Sequence, residues 1–242
     1  VNQYKYPSLD VRPYFKRNYL YGETMTHILG YVGRINDRDV ERLKKEEKFA
    51  NYAGSTDMGK LGIERYYEDQ LHGITGFEEV EINNRGKVIR KLREQPATAG
   101  KSIHLTIDLA LQRYIMSLLS GQKGAVVVLD PKDNSVLAMV STPSYDNNLF
   151  VDGISASDYK RLLDDPARPL YSRATQGVYP PASTVKPFVA VAALTEGVIT
   201  PHTTIFDPGY WMLPNSTKRF RDWKKSGHGY TDLNKAITES SD

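Results

Sequence analysis

With 242 residues, of which 40% are hydrophobic and 25% charged, the chain can build one large core or two modest ones, which excludes the disordered and coiled-coil classes. Its 32 basic and 29 acidic side chains leave a net charge of +3 with no long basic block, so nucleic acid is not indicated as a partner. The absence of cysteine removes disulfides and thiolate metal sites and is compatible with an oxidising compartment, and no apolar run reaches the roughly 20 residues of a membrane span.

Residues 1–37 are rich in Tyr and Arg, and 26–33 reads as a strand that leaves through glycine, so this segment is scaffold. The charged stretch 37–48, with Val40 and Leu43 three apart, predicts a solvated helix. Over 59–73, Ile63, Tyr66, Tyr67 and Leu71 form one helical stripe closed by Gly73, and His72 beside that glycine is assigned no chemical role. Apolar and polar residues alternate over 77–82 and 87–90 on both sides of an Asn/Gly turn, the pattern of a hairpin with one wet face. The aperiodic stretch 94–100 reads as a domain boundary, giving modules 1–95 and 96–242.

Beyond it, 103–107 alternates as a strand, Asp108 caps a helix over 109–119, and Gly121 ends that helix. The runs 125–129 and 136–140 flank a turn at 130–134 and read as a hairpin of two largely buried strands. Residues 142–181 look mostly irregular, an extended approach to the helix expected at Ser183. Strands and helices in this order make an α+β protein with helices packed on an antiparallel sheet. The chain starts without Met and stops at Asp242 inside a predicted helix over 232–242, so it reads as an excerpt of a longer protein.

The chemistry gathers at Ser183-Thr184-Val185-Lys186. Two prolines precede it and a small-residue apolar run continues to Gly197, a plausible C′ residue, so Ser183 is expected to open a buried helix. Residues three apart share a helix face, which predicts that the Ser183 hydroxyl and the Lys186 amine touch. Pro187 in the first turn costs little, because no amide there has an internal acceptor. Among Val185, Phe188 and Val189, and near the positive helix end, the charged amine is disfavoured and can take a proton from serine. The same spacing also fits a helix-capping serine beside a surface lysine, so the context decides.

That context is a second motif, Ser240-Ser241-Asp242, downstream of the first, together with the text 173–181 and the earlier stretch from Gly59-Lys60-Leu61-Gly62-Ile63-Glu64 through Asn84-Arg85-Gly86. With these residues the chain resembles the class B penicillin-binding proteins over essentially its whole length, and within them the elongation subgroup, in which Asp242 stands where most relatives have Asn. The resemblance implies a pedestal, or dimerisation-like module, followed by the N-terminal part of a transpeptidase domain of the serine β-lactamase kind. It implies Ser183 as acyl-forming nucleophile, Lys186 as general base, Ser240 as proton relay to the leaving amine, and Asp242 as a contact to Lys186 and the substrate backbone. The amide of Ser183 is one implied oxyanion donor. The implied reaction is D,D-transpeptidation of peptidoglycan D-Ala-D-Ala stem peptides, blocked by β-lactams on the same serine. The glycosyltransferase RodA and the scaffold MreC are implied partners, and the implied location is the periplasmic side of a bacterial inner membrane, the anchor lying outside this chain.

The Lys-Thr-Gly motif of that family is absent from the sequence, so weak acylation is expected of this chain alone. No cofactor is required for the chemistry. Asp207, Asp222 and His228 fall in a polar loop with ligand atoms that suit zinc, and some members of the subgroup resemble it here, with a cysteine at the position of Ser241; solvated loop charges are the other reading. A serine β-lactamase, a β-lactam sensor and a partner-binding pedestal are the competing functional readings.

Overall fold

The computed structural model describes residues 15–84, 86 and 88–242; the start of the Tyr/Arg-rich segment, residue 85 of the expected hairpin turn and residue 87 of its expected second strand lie outside them. Contacts gather the chain into two units that divide after Gly177.

The first unit opens with α1, Gly22–Leu29, where a strand was expected. Met25 and Ile28 explain the difference: three apart, both buried, they pack as neighbours on one helical face. The chain turns at Gly30 and only β1, Val32–Arg34, is extended. The helix expected from 37 is α2, Asp37–Lys45, fixed by a capping box in which Asn36 and Asp39 exchange side-chain and backbone bonds. It buries Leu43, 2% exposed, against Tyr52 and Met58. Met58 lies on β2, Asp57–Gly59, the antiparallel partner of β1.

The single helix expected over 59–73 is instead two short ones, α3, Gly62–Tyr66, and α4, Glu68–Leu71. The buried residue is Glu64 and not the apolar stripe, whose Tyr66 is 81% exposed. A buried carboxylate must be paired, and this one accepts from the Tyr19 hydroxyl at 3.1 Å and pairs with Arg17 Nε at 2.9 Å. His72 has a structural place: Nε2 lies 2.8 Å from Ser55 Oγ and its ring stacks on Tyr52.

Next comes the hairpin of β3, Phe77–Ile82, and β4, Val88–Gln95. Both of its faces are largely exposed, so the expected dry face is missing among the described residues. Glu94 and Gln95, expected in a linker, continue the strand opposite Glu78 and Phe77.

The strand expected over 103–107 joins no sheet, although Thr106 Oγ1 donates to the Val136 carbonyl and the Asp108 amide to that of Leu137. Asp108 does cap α5, Leu109–Leu118, accepting from the Leu111 amide at 3.0 Å. The strands β5, Gly124–Leu129, and β6, Val136–Thr142, form the expected hairpin. Burial is one-sided: Ala138 and Val140 of β6 pack on Ile115 of α5, whereas every second residue of β5 is exposed. Fully buried Gln112 ties this sheet to α1, donating to the Thr24 and Met139 carbonyls and accepting from the Met139 amide.

Residues 142–181 hold two helices where irregular chain was expected, α6, Ala156–Asp164, and α7, Arg173–Gln176. The Ser155 hydroxyl caps α6 by accepting from the Asp158 amide.

In the second unit, a 3-10 turn, Ala182–Val185, leads into α8, Lys186–Thr195. Three short strands come next, β7, Ile205–Asp207, β8, Tyr210–Met212, and β9, Arg219–Arg221; β8 pairs with β9. Then β10, Gly229–Thr231, returns beside β7, and α9, Leu233–Thr238, closes the unit with Asp232 as its cap. The α+β class expected from the sequence is borne out.

One ion pair gives this fold an acid limit. Burial raises the Asp39 carboxyl, but hydrogen bonds from Lys60 and the Asn36 amide outweigh it and hold the group below its ordinary 3.8. A depressed folded pKa supplies stability above the unfolded value and loses it as pH falls through the folded one. Lys60→Met is therefore expected to cost about 2 kcal/mol at pH 7, reduced because Arg42 also reaches Asp39. The difference between the two proteins in chemical denaturation should shrink below about pH 4.

Candidate active site

The second unit alone carries the four residues singled out as catalytic. Ser183 lies in the 3-10 turn and Lys186 is the first residue of α8, with Pro187 in the tolerated first turn. The end expected at Gly197 is also present, at φ +67 and one position beyond the Glu196 cap. In a 3-10 turn residues three apart stand one above the other, so the pair shares a side as the spacing predicts.

The two head groups do not meet directly. Ser183 Oγ lies 2.6 Å from Ser240 Oγ, and Lys186 Nζ donates to that same oxygen at 3.2 Å. Lys186 Nζ also pairs with Asp242 Oδ1 at 2.7 Å. Ser240 thus connects hydroxyl to amine, a role that spacing along one helix could not reveal. The expected apolar sleeve around Lys186 is absent as well: Phe188 is 76% exposed, Val185 and Val189 are exposed, and only Ala190 of α8 is buried. Apolar residues occur all round α8, so no single face defines its packing. Asp242 is the charged neighbour of the half-buried amine.

Ser240 and Asp242 sit beyond α9 and not inside a helix running to 242. The helix ends because Ser240 adopts φ +55, while the Ser241 amide reaches back to the Ala236 carbonyl, the 6→1 bond of a Schellman ending.

Directly behind this turn lie Asp207, Asp222 and His228, which the fold brings within 4.8 Å of one another. Asp207 ends β7, opposite Gly229, and Asp222 comes directly after β9. Asp207 accepts from the His228 amide and the Ser241 hydroxyl, and Asp222 from the amide of Asp242 at 2.7 Å. Burial raises both carboxyls, but these donated bonds, with those of Gly209 to Asp207 and Lys224 to Asp222, bring them below the ordinary value. His228 is 6% exposed; its Nδ1 meets Glu239 Oε2 at 2.8 Å, while Nε2 stands 3.3 Å from Asp222 Oδ1 without making a hydrogen bond. The loop charges are not simply solvated. The sequence ties Ser241 to this cluster only through the resemblance, and it does not mark Trp223 and Glu239 as members, because no periodicity singles them out.

The sequence matches the penicillin binding protein transpeptidase domain over residues 124–242 and the penicillin-binding protein dimerisation domain over residues 1–105.

The chain belongs to the penicillin-binding proteins.

Within that family it is 85% identical to the peptidoglycan D,D-transpeptidase MrdA of Haemophilus influenzae and 63% identical to that of Escherichia coli K12. Each alignment covers 100% of this chain and, respectively, 37% and 38% of the relative. The penicillin-binding protein PBP2 of Pseudomonas aeruginosa, solved in complex with WCK 5153, shares the fold with a TM-score of 0.77 and 44% identity, over 96% of this chain and 46% of that one. A complex between PBP2 and MreC from Helicobacter pylori gives a TM-score of 0.81 and 34% identity, over 94% and 41%. The chain spans less than half the length of these penicillin-binding relatives.

Proposed function

We propose that the chain carries the acylating centre of a serine peptidoglycan D,D-transpeptidase, with residues 1–95 as its pedestal. The observation that carries this reading is the hydrogen-bonded chain from Ser183 through Ser240 to Lys186 and Asp242. A neutral amine keeps two N–H groups and one lone pair. In the neutral amine one N–H stays on Asp242 and the lone pair turns to Ser240 Oγ in place of the N–H donated there, so that it takes a proton arriving from Ser183 by way of Ser240. Ser183 Oγ then bonds to the carbonyl carbon of the penultimate D-Ala, and the Ser183 amide is a donor to the oxyanion. Collapse breaks the C–N bond, the leaving D-Ala amine collects the proton through Ser240, and a serine ester remains. The amine of a second stem peptide attacks that ester and reverses the proton path. A β-lactam, whose ring amide mimics the scissile bond, leaves the same ester. The test is covalent mapping in a protein of the relatives' full length: a fluorescent penicillin should add one mass equivalent to the Ser183 peptide, and an adduct elsewhere would sink the reading.

The Helicobacter complex supports MreC as a partner in elongation, and the resemblance extends that proposal to RodA and to the periplasmic face of an inner membrane. Among the described residues, no helix is long and apolar enough to cross a membrane.

The residues of the acidic cluster fit a zinc ion. His228 Nε2 is buried, lacks a hydrogen-bond partner and faces Asp222, and Glu239 on Nδ1 orients the ring; Asp207 supplies the third ligand atom. Bound there, the ion would be structural, reinforcing the carboxylates that hold the Ser241 and Asp242 backbone and side-chain contacts. Zinc should appear in elemental analysis and raise the melting temperature by about 4 °C, and His228→Ala should abolish that rise. Absence of both signals would remove the metal from the proposal.

A further inference from the structure

Ser240 is held in a backbone conformation that its residue type disfavours, at φ +55, where the Cβ of an L-residue crowds the following carbonyl. Such a conformation persists only where the surroundings over-determine it, and here the constraints can be named. The Ser241 amide bonds back to Ala236, and the Asp242 amide bonds to Asp222 on the far side of the turn. Between them, the Trp223 indole Nε1 donates to the Ser240 carbonyl at 3.1 Å and to that of Glu239 at 3.3 Å. The Glu239 carbonyl is one that the helix end leaves without a backbone donor, and that of Ser240 follows it directly, so one indole N–H serves both. The indole is in turn set by an edge contact with the buried His228 ring, centroids 5.4 Å apart. Its own backbone lies one residue after Asp222, which is anchored to the same turn.

We propose that Trp223 is a positioning residue for the acylation step: its indole N–H locks the Glu239–Ser240 peptide so that the Ser240 hydroxyl stays between Ser183 and Lys186. The proposal rests on the transpeptidase reading above. The distances leave little slack, since Ser240 Oγ must keep 2.6 Å to one partner and 3.2 Å to the other while its backbone is strained. A proton relay is lost when one of its two bonds lengthens past hydrogen-bond range. Trp223 makes no hydrogen bond to Ser183 or Lys186, so its contribution to acylation acts through the Glu239–Ser240 peptide.

The test uses a protein of the relatives' full length in which Trp223 is replaced by 3-benzothienylalanine, a ring of nearly the same shape without the N–H, with Trp223→Phe as a second variant. Saturation kinetics with a fluorescent penicillin separate the acylation constant from the affinity of the initial complex. The expected result is an acylation constant about tenfold lower, with initial affinity and melting temperature unchanged. A merely structural role would move the melting temperature and leave the acylation constant alone, which overturns the proposal. An unchanged acylation constant in both variants overturns it too. Failure of the underlying reading looks different, because the unsubstituted protein would then take no label on Ser183.

Discussion

Ser183→Ala should abolish covalent labelling by penicillin, and Lys186→Met should slow it by about a thousandfold, the range a positioned general base contributes. The two substitutions differ in kind. Removing the hydroxyl removes the atom that forms the ester, so no amount of time restores the adduct. Removing the amine leaves Ser183 and Ser240 at 2.6 Å, still able to share a proton, but with no group to receive it. Asp242 then loses its partner at 2.7 Å; being half exposed, it is resolvated by water, so little stability should be lost. The measurement is the second-order rate of labelling, with the melting temperature alongside it. Lys186→Met labelling at the unsubstituted rate would exclude lysine as the base and leave Ser240 without a proton acceptor in this chain.

Gly30→Ala should destabilise the first unit by at least about 3 kcal/mol. Gly30 has φ +71 and ψ −145, a region open in practice to glycine alone, and a Cβ there would lie 1.9 Å from the Leu61 carbonyl oxygen. Neither backbone can give way cheaply. The Asn147 side chain, fully buried, donates to the Gly30 carbonyl, and the Gly30 amide closes α1 on the Thr26 carbonyl. Gly121→Ala is the control: its φ is +74 but nothing lies within 4 Å of the added methyl, so only the conformational cost of about 1 kcal/mol should appear. Chemical denaturation of the two proteins should therefore differ by about 2 kcal/mol or more, and equal losses would show that the close approach to Leu61 relaxes without strain.

Local signals that depend on a few neighbouring residues were legible in the sequence. The cap at Asp108, the turn glycine Gly197 and the hairpins around 83–86 and 130–134 all arise from short-range hydrogen bonding and backbone preference, which the tertiary fold leaves in place. The Ser-x-x-Lys pairing was legible for the same reason, because the spacing fixes which side of a turn both residues occupy.

Readings based on hydrophobic faces fared worse. The stripe over 63–71 lost to a buried Glu64 because Tyr19 and Arg17, over 40 residues earlier, pair it. The buried helix expected after Ser183 lies open because apolar residues alone do not say what covers them. Residues 26–29 of the expected strand became a helix because Met25, just outside it, shares a buried helical face with Ile28, and only 32–34 is extended.

The sequence by itself therefore determined the family and the α+β class and singled out Ser183 and Lys186 as the candidate nucleophile and amine, since each signal is written in short local motifs. Only the tertiary structure decided how they connect. Bringing Ser240 57 residues along the chain to 2.6 Å from Ser183 takes β7 to β10 and α9 folding back on α8. The groups bonded to its turn, the Trp223 indole as donor and the Asp222 carboxylate as acceptor, have no spacing rule that could announce them, because their contacts are set by packing across the unit and not by the period of any one element.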